Sequence, residues 1–295
     1  MEDVSQIHSY DVTVVGVPFD GGCTYRAGSR FGPQAIRRMT GLYAPPYQFE
    51  HATDLLESIS MCDVGDVYTI PANIEKTLDQ VTNAIGYIAS TKTFPLVLGG
   101  DHSIGYATIR GIASVTSKNI GIIHFDRHAD MQETDMDERM HSTPYFHATN
   151  LPNVRPQNLV QIGIGGWQVP RPAINHVVRK QSNVFTVDDI DDLGLDKVVE
   201  IALAKAWEGC DAVYMSFDID VLDPAVSILF LDRIYYPLCL CWFVCVCVLL
   251  YLGFVLYVLY SLPQEQVHQS QEVYFPEMHL KWFGILPRKD CVVWK

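Results

Sequence analysis

Residues 124–130 read His-Phe-Asp-Arg-His-Ala-Asp and directly follow the apolar run Ile120-Gly121-Ile122-Ile123. An apolar run bounded by turn signals is a buried strand, so Asp126, His128 and Asp130 fall at its end, at i, i+2 and i+4. In an extended chain those three side chains share one face. His124 is assigned instead to the core, as a satisfied histidine pointing away from that face. Carboxylates and an imidazole converging beside a buried sheet carry a desolvation cost of several kcal/mol per ion. A bound cation removes that cost, and the stretch therefore predicts a metal.

Two further runs end in the same way. Phe94-Pro95-Leu96-Val97-Leu98 leads into Gly99-Gly100-Asp101-His102-Ser103, and Ala212-Val213-Tyr214-Met215-Ser216-Phe217 leads into Asp218-Ile219-Asp220. In open parallel α/β sheets ligands bind at the carboxyl ends of strands, so three such ends can meet at one site. His102, Asp126, His128, Asp130, Asp218 and Asp220 together offer oxygen and imidazole ligands without thiolate. That chemistry suits hard or borderline ions, manganese first, with nickel, iron or zinc as alternatives. Four carboxylates overload one ion but suit a carboxylate-bridged pair.

The three segments, in this order, resemble the signatures of the ureohydrolase family, which includes arginases and agmatinases. The similar stretches are Gly-Gly-Asp-His-Ser at 99–103, Asp-x-His-x-Asp at 126–130 and Ser-Phe-Asp-Ile-Asp-x-x-Asp-Pro at 216–224. Gly-Val-Pro-Phe-Asp-Gly-Gly at 16–22 and the Gly-x-Arg-x-Gly-Pro pattern from Gly28 are similar to agmatinase-type members. The resemblance implies two manganese ions, with nickel as the alternative. It implies that His102, Asp126, Asp130 and Asp218 hold one ion, that His128, Asp126, Asp218 and Asp220 hold the other, and that Asp126 and Asp218 bridge. It also implies the activity: a metal-bridging hydroxide attacks a guanidino carbon, releasing urea and an amine, as in agmatine to putrescine. Asp130 would assist the proton transfer, and His141, before Ser142-Thr143-Pro144, matches the family's proton shuttle at the cleft mouth. Free guanidine and guanidino acids are the alternative substrates: Arg127, where agmatinases have alanine, with residues 132–135 and 146–150 resembles a subgroup that includes nickel-dependent hydrolases of free guanidine. Arg127 can narrow the cleft, pair with a carboxylate, or form a supporting salt bridge.

The remainder of the chain sets the frame. Strands alternate with helices, giving a three-layer α/β/α fold on a mostly parallel, doubly wound sheet. Strands are expected at 11–17, 61–67, 96–98, 121–125, 158–163, 184–187 and 212–217, with helices at 72–91, 104–113 and 195–206, and one beginning at Pro33. Residues 44–72 otherwise read as irregular, and the glycine-rich loop at 21–32 as scaffold and cleft rim. A formal charge of −13 over 295 residues argues against a nucleic-acid partner and is compatible with a small cationic guanidino substrate. The first ten residues carry Glu2 and Asp3 and no apolar core, so neither a secretory nor a mitochondrial leader is expected. The expected compartment is the cytosol, with the eight cysteines reduced, and a homo-oligomer is compatible with the family.

After Ala225 the resemblance stops. The family's Pro-Glu-Pro-Gly-Gly segment, whose glutamate meets the guanidinium, has no counterpart, and Glu277 sits in a different context. Residues 234–262 contain no charged residue and exceed the ~20 apolar residues that span a bilayer. The chain thus divides into a metal domain at 1–225, an apolar segment at 226–263 and a polar tail at 264–295. Cys245-Val246-Cys247-Val248 is what a TG repeat would translate to, so 226–295 reads as aberrantly translated sequence ahead of a genuine membrane anchor, which the transcript's sequence decides. The competing class is a non-catalytic, metal-binding or membrane-attached remnant.

Overall fold

A computed structural model describes residues 4–41, 47–49 and 52–222. In chain order its strands and α-helices are β1 (Val12–Gly16), α1 (Gly32–Thr40), β2 (Tyr47–Gln48), β3 (Thr53–Asp54), α2 (Leu55–Ser58), β4 (Met61–Asp66), α3 (Ile74–Ser90), β5 (Phe94–Leu98), α4 (Ile104–Val115), β6 (Ile120–Phe125), α5 (Pro144–Ala148), β7 (Val154–Ile164), α6 (Arg171–Lys180), β8 (Asn183–Thr186), α7 (Val187–Leu193), α8 (Leu195–Ala206) and β9 (Ala212–Phe217).

The strands form two parallel sheets, ordered β4-β1-β5 and β8-β7-β6-β9, beside a small antiparallel β2-β3 pair. Helices cover both faces. On one, Ile122 and Leu159 pack with Ile109 of α4, Tyr145 of α5 and Val177 of α6. On the other, Ile123, Val160 and Ile162 pack with Val198, Ala202 and Ala206 of α8. Every residue of β6 is buried, which explains why this strand reads as an unbroken apolar run instead of an alternation. The α/β/α architecture expected from the sequence is the one observed.

Local chemistry sets the element ends. Asn73 caps α3 by accepting the Lys76 N–H at 2.9 Å, and Leu78, Val81, Ile85 and Ile88 form the buried stripe of that helix, so it runs from Ile74 to Ser90 within the expected 72–91. Thr186 and Asp189 form a reciprocal capping box, which ends β8 at Thr186 and starts α7 at Val187, where strand had been expected. Helix α6 and the short β2-β3 pair also lie outside the elements expected from the sequence. The register shift between Ile120 and Ile122 accompanies a β7 that begins at Val154, four residues ahead of expectation.

The largest local difference concerns residues 126–130. Strand β6 stops at Phe125, the chain then bends, and Asp130 has a left-handed backbone with φ 49°. The three ligand candidates therefore converge through a bend and not along an extended strand. As for the membrane, no helix among the described residues is long and apolar enough to cross one, and the candidate span at 234–262, like the division at 225, lies outside the described residues.

Gly121 marks where α8 presses on β6, since a Cβ there would stand 2.0 Å from the Ala206 carbonyl oxygen. Gly121→Ala is expected to lower stability by ~1–3 kcal/mol through overpacking, read as an earlier urea midpoint. An unchanged midpoint would contradict this packing.

Candidate metal centre

Each candidate ligand is delivered by the carboxyl end of a strand. The turn after β5 needs glycine, because a Cβ on Gly100 would meet the Phe19 carbonyl oxygen at 2.1 Å; this close approach carries Asp101 and His102 inward. Asp101 is buried and fastens the turn: its carboxylate accepts the N–H groups of Gly22 at 2.7 Å and Ser103 at 2.8 Å. Burial raises its pKa, and those hydrogen bonds oppose the rise.

The centre itself falls into two groups that share Asp126. In the first, His102 Nδ1 lies 3.0 Å from Asp126 Oδ2, 3.1 Å from Asp130 Oδ2 and 3.1 Å from Asp218 Oδ2. In the second, His128 Nδ1 lies 3.4 Å from Asp126 Oδ1 and 3.1 Å from Asp220 Oδ2. All six residues singled out from the sequence as metal ligands are brought together. Backbone groups also hold the carboxylates: the His128 N–H donates to Asp126 Oδ1 at 2.6 Å and the Asp220 N–H to Asp218 Oδ1 at 3.1 Å.

Protein groups alone leave this cluster unsatisfied. His102 Nδ1 is buried and makes no hydrogen bond of acceptable geometry, although three carboxylate oxygens surround it, and Asp220 Oδ1 is likewise buried without a partner. One ring nitrogen facing several carboxylate oxygens is the donor set of a cation. His102, His124, Asp126 and Asp130, and separately Asp126, His128 and Asp220, have donor atoms close enough to hold one ion each. The residues present fit a pair of divalent metals.

Electrostatics agree. Burial raises the Asp130 pKa to about 7, helped by the negative charge of Asp126 and opposed by His102. Burial raises Asp220 to about 6 against its hydrogen bond to His128. Burial works against protonation of His128, but hydrogen bonds to Asp126 and Asp220 outweigh it and lift that imidazole to about 10. These shifts all run in the direction of a site that favours added positive charge.

Support comes from residues that sequence reasoning passed over. His102 Nε2 meets Ser216 Oγ at 2.8 Å and Tyr145 Oη at 3.0 Å. His124, contrary to expectation, turns toward the centre: Nε2 lies 2.9 Å from Asp126 Oδ2 and Nδ1 lies 2.9 Å from Gln161 Nε2. Its parity with Asp126 was the available signal. Gln161 and Ser216 were visible as polar residues inside otherwise apolar strands, where buried polar groups are the informative exception.

At the rim, His141 Nε2 shares a hydrogen bond with Thr24 Oγ1 at 2.9 Å, and the His141 N–H donates to the Gly22 carbonyl at 2.9 Å. Burial lowers the His141 pKa, the charges of His128 and His102 add to that, and Asp101 opposes it. Its loop from Gly21 is anchored through buried Asp20, which accepts the Gly28 N–H at 2.7 Å and pairs with Arg30. Arg127 packs against Gly166, whose Cβ would stand 2.5 Å from its Nη2, and no carboxylate among the described residues pairs with it. Of the roles left open by the sequence, the supporting salt bridge is not found among the described residues.

This fold and centre identify the chain as a member of the arginase family, whose profile matches residues 10–227. Among its relatives, it is 35% identical to an arginase of Brevibacillus brevis, over 72% of this chain and 76% of that protein. It is 32% identical to a proclavaminate amidinohydrolase of Streptomyces clavuligerus, over 75% of this chain and 70% of that protein. A crystal structure of the agmatine ureohydrolase of Thermoplasma volcanium superposes with a TM-score of 0.66 at 28% identity, covering 76% of this chain and 72% of that one. Three relatives at comparable identity carry the names of three different substrates, so kinship fixes the reaction class, hydrolysis of amidine C–N bonds with a binuclear metal centre, and not the substrate.

Metal uptake must displace the protons that His128 holds below about 10 and Asp130 below about 7. Metal affinity is therefore expected to fall by roughly tenfold or more per pH unit between about pH 8 and about pH 6, with proton release on binding. Calorimetry in buffers of different ionisation enthalpy reads both; an affinity flat across that range would contradict the assignment.

Proposed function

We propose that this chain is a metal-dependent hydrolase cleaving a guanidino C–N bond to release urea, with two manganese ions as its cofactor and nickel as the alternative. The observation that carries the reading is His102 Nδ1, buried among the carboxylates of Asp126, Asp130 and Asp218 at 3.0–3.1 Å with no hydrogen bond of its own. His102, Asp126, Asp130 and Asp218 would hold one ion, and His128, Asp126, Asp218 and Asp220 the other.

Divalent cations at such a centre lower the pKa of water toward neutrality and stabilise negative charge on the substrate. Asp130, buried among the ligand candidates, would carry the proton of the attacking hydroxide to the departing nitrogen. His141, held at Nε2 by Thr24 and favoured in its neutral form because its pKa is lowered, would take the proton released when the next water replaces the consumed hydroxide and pass it to solvent. The Asp101–Gly22–His141 connection keeps this imidazole in register with the ligand turn.

Agmatine is the first substrate in this reading, supported by the agmatinase-like segments at 16–22 and from Gly28 and by the acidic balance of the chain. A guanidino acid is the second, and one observation favours it. Arg127 follows ligand Asp126 directly and has no carboxylate partner among the described residues, so its charge is available to a substrate carboxylate. The proposed catalytic domain is residues 1–225.

Urea release by the full-length chain loaded with manganese or nickel, against agmatine, arginine, 4-guanidinobutyrate and guanidine, tests this directly. Activity on at least one is expected, reduced by more than about 100-fold in Asp126→Asn. Arg127→Ala should selectively raise KM for the carboxylate-bearing substrate. A folded, metal-loaded chain inactive on all four would support the non-catalytic class.

A further inference from the structure

We infer that Gln161, on β7, is a positioning residue that locks His124 in its Nε2–H tautomer, so that His124 serves the centre as a hydrogen-bond donor to Asp126 and not as a metal ligand. This rests on the ligand set proposed above.

The argument runs outward from a group whose role is unambiguous. The Ala129 carbonyl oxygen can only accept, and it lies 2.5 Å from the side-chain nitrogen of Gln161. The amide must therefore present its NH2 there; reversed, it would set two oxygens against each other. The second hydrogen of that NH2 faces His124 Nδ1 at 2.9 Å, so Nδ1 accepts and carries no proton. The ring proton is left on Nε2, which is 2.9 Å from Asp126 Oδ2 and donates to it.

Packing closes the alternatives. His124 is fully buried, and the Tyr145 ring lies against it with centroids 4.0 Å apart at 33°, which holds the imidazole plane. Without this relay, His124 would stand among His102, Asp126 and Asp130 as a competing nitrogen ligand. With it, both oxygens of Asp126 receive a fixed donor, His128 N–H on Oδ1 and His124 on Oδ2. Hydrogen bonds of this kind orient ligands and tune their affinity.

Gln161 also bears a mark of its role. Its Oε1 is buried with no partner, in a strand position flanked by Val160 and Ile162 where an aliphatic residue would satisfy the core. An amide buried for one end only costs stability, and here the satisfied end is the one directed at Ala129 and His124.

The test uses the full-length chain, metal-free and 15N-labelled at histidine, in long-range 1H–15N correlation spectra, with the His124 signal assigned by its loss in His124→Gln. The expected pattern is a neutral ring protonated at Nε2. Gln161→Leu should mix the two tautomers and weaken manganese binding by about 10- to 100-fold. His124→Gln, whose amide can donate from the same place, should lose less affinity than His124→Phe. A proton on Nδ1 in the unaltered chain overturns the inference without reference to any variant, as does full manganese affinity in Gln161→Leu. The expected tautomer in a chain that binds no manganese would uphold the relay and remove the ligand assignment instead.

Discussion

The structure depends on one unresolved concentration of charge. Four carboxylates and two imidazoles meet at the ends of β5, β6 and β9, and a low-dielectric setting makes such a cluster expensive unless positive charge balances it. His102 comes from one sheet while Asp126, Asp130 and Asp218 come from or follow strands of the other, so the centre lies where the two sheets meet. Metal binding would thus be linked to the packing of the two halves, and bound ions would contribute to folding as well as to chemistry.

The surroundings are graded outward from that point. Closest in, Ser216 and Tyr145 hold the imidazole of His102, and Gln161 holds that of His124. One layer out, Asp101 ties the ligand turn to the loop from Gly21, and Asp20 with Arg30 ties that loop to the base of α1. His141 and Arg127 are half-buried residues outside this scaffold.

Much of this was legible in the sequence because its physics is local. Strand-terminal carboxylates and imidazoles after apolar runs identify the six ligand candidates, and the apolar spacing in α3 identifies its buried stripe. What was not legible depends on tertiary neighbours or on dihedral angles. The bend that turns Asp130 inward requires a positive φ that a sequence pattern of i, i+2, i+4 does not express. The direction of His124 follows from Gln161 across the β6–β7 pairing, and Thr24 reaches His141 across more than a hundred residues. Helix α7 was missed because its start is set by the Thr186–Asp189 capping box and not by hydrophobic spacing.

The central claim is that His102, Asp126, His128, Asp130, Asp218 and Asp220 form a shell for two cations. Anomalous diffraction at the manganese edge, from crystals of the full-length chain soaked in manganese, measures this most directly. Two peaks are predicted, one beside His102 Nδ1 and one beside His128 Nδ1, each within coordination distance of Asp126 and Asp218. No peak at this cluster, or a single peak ligated by His124, would contradict the account.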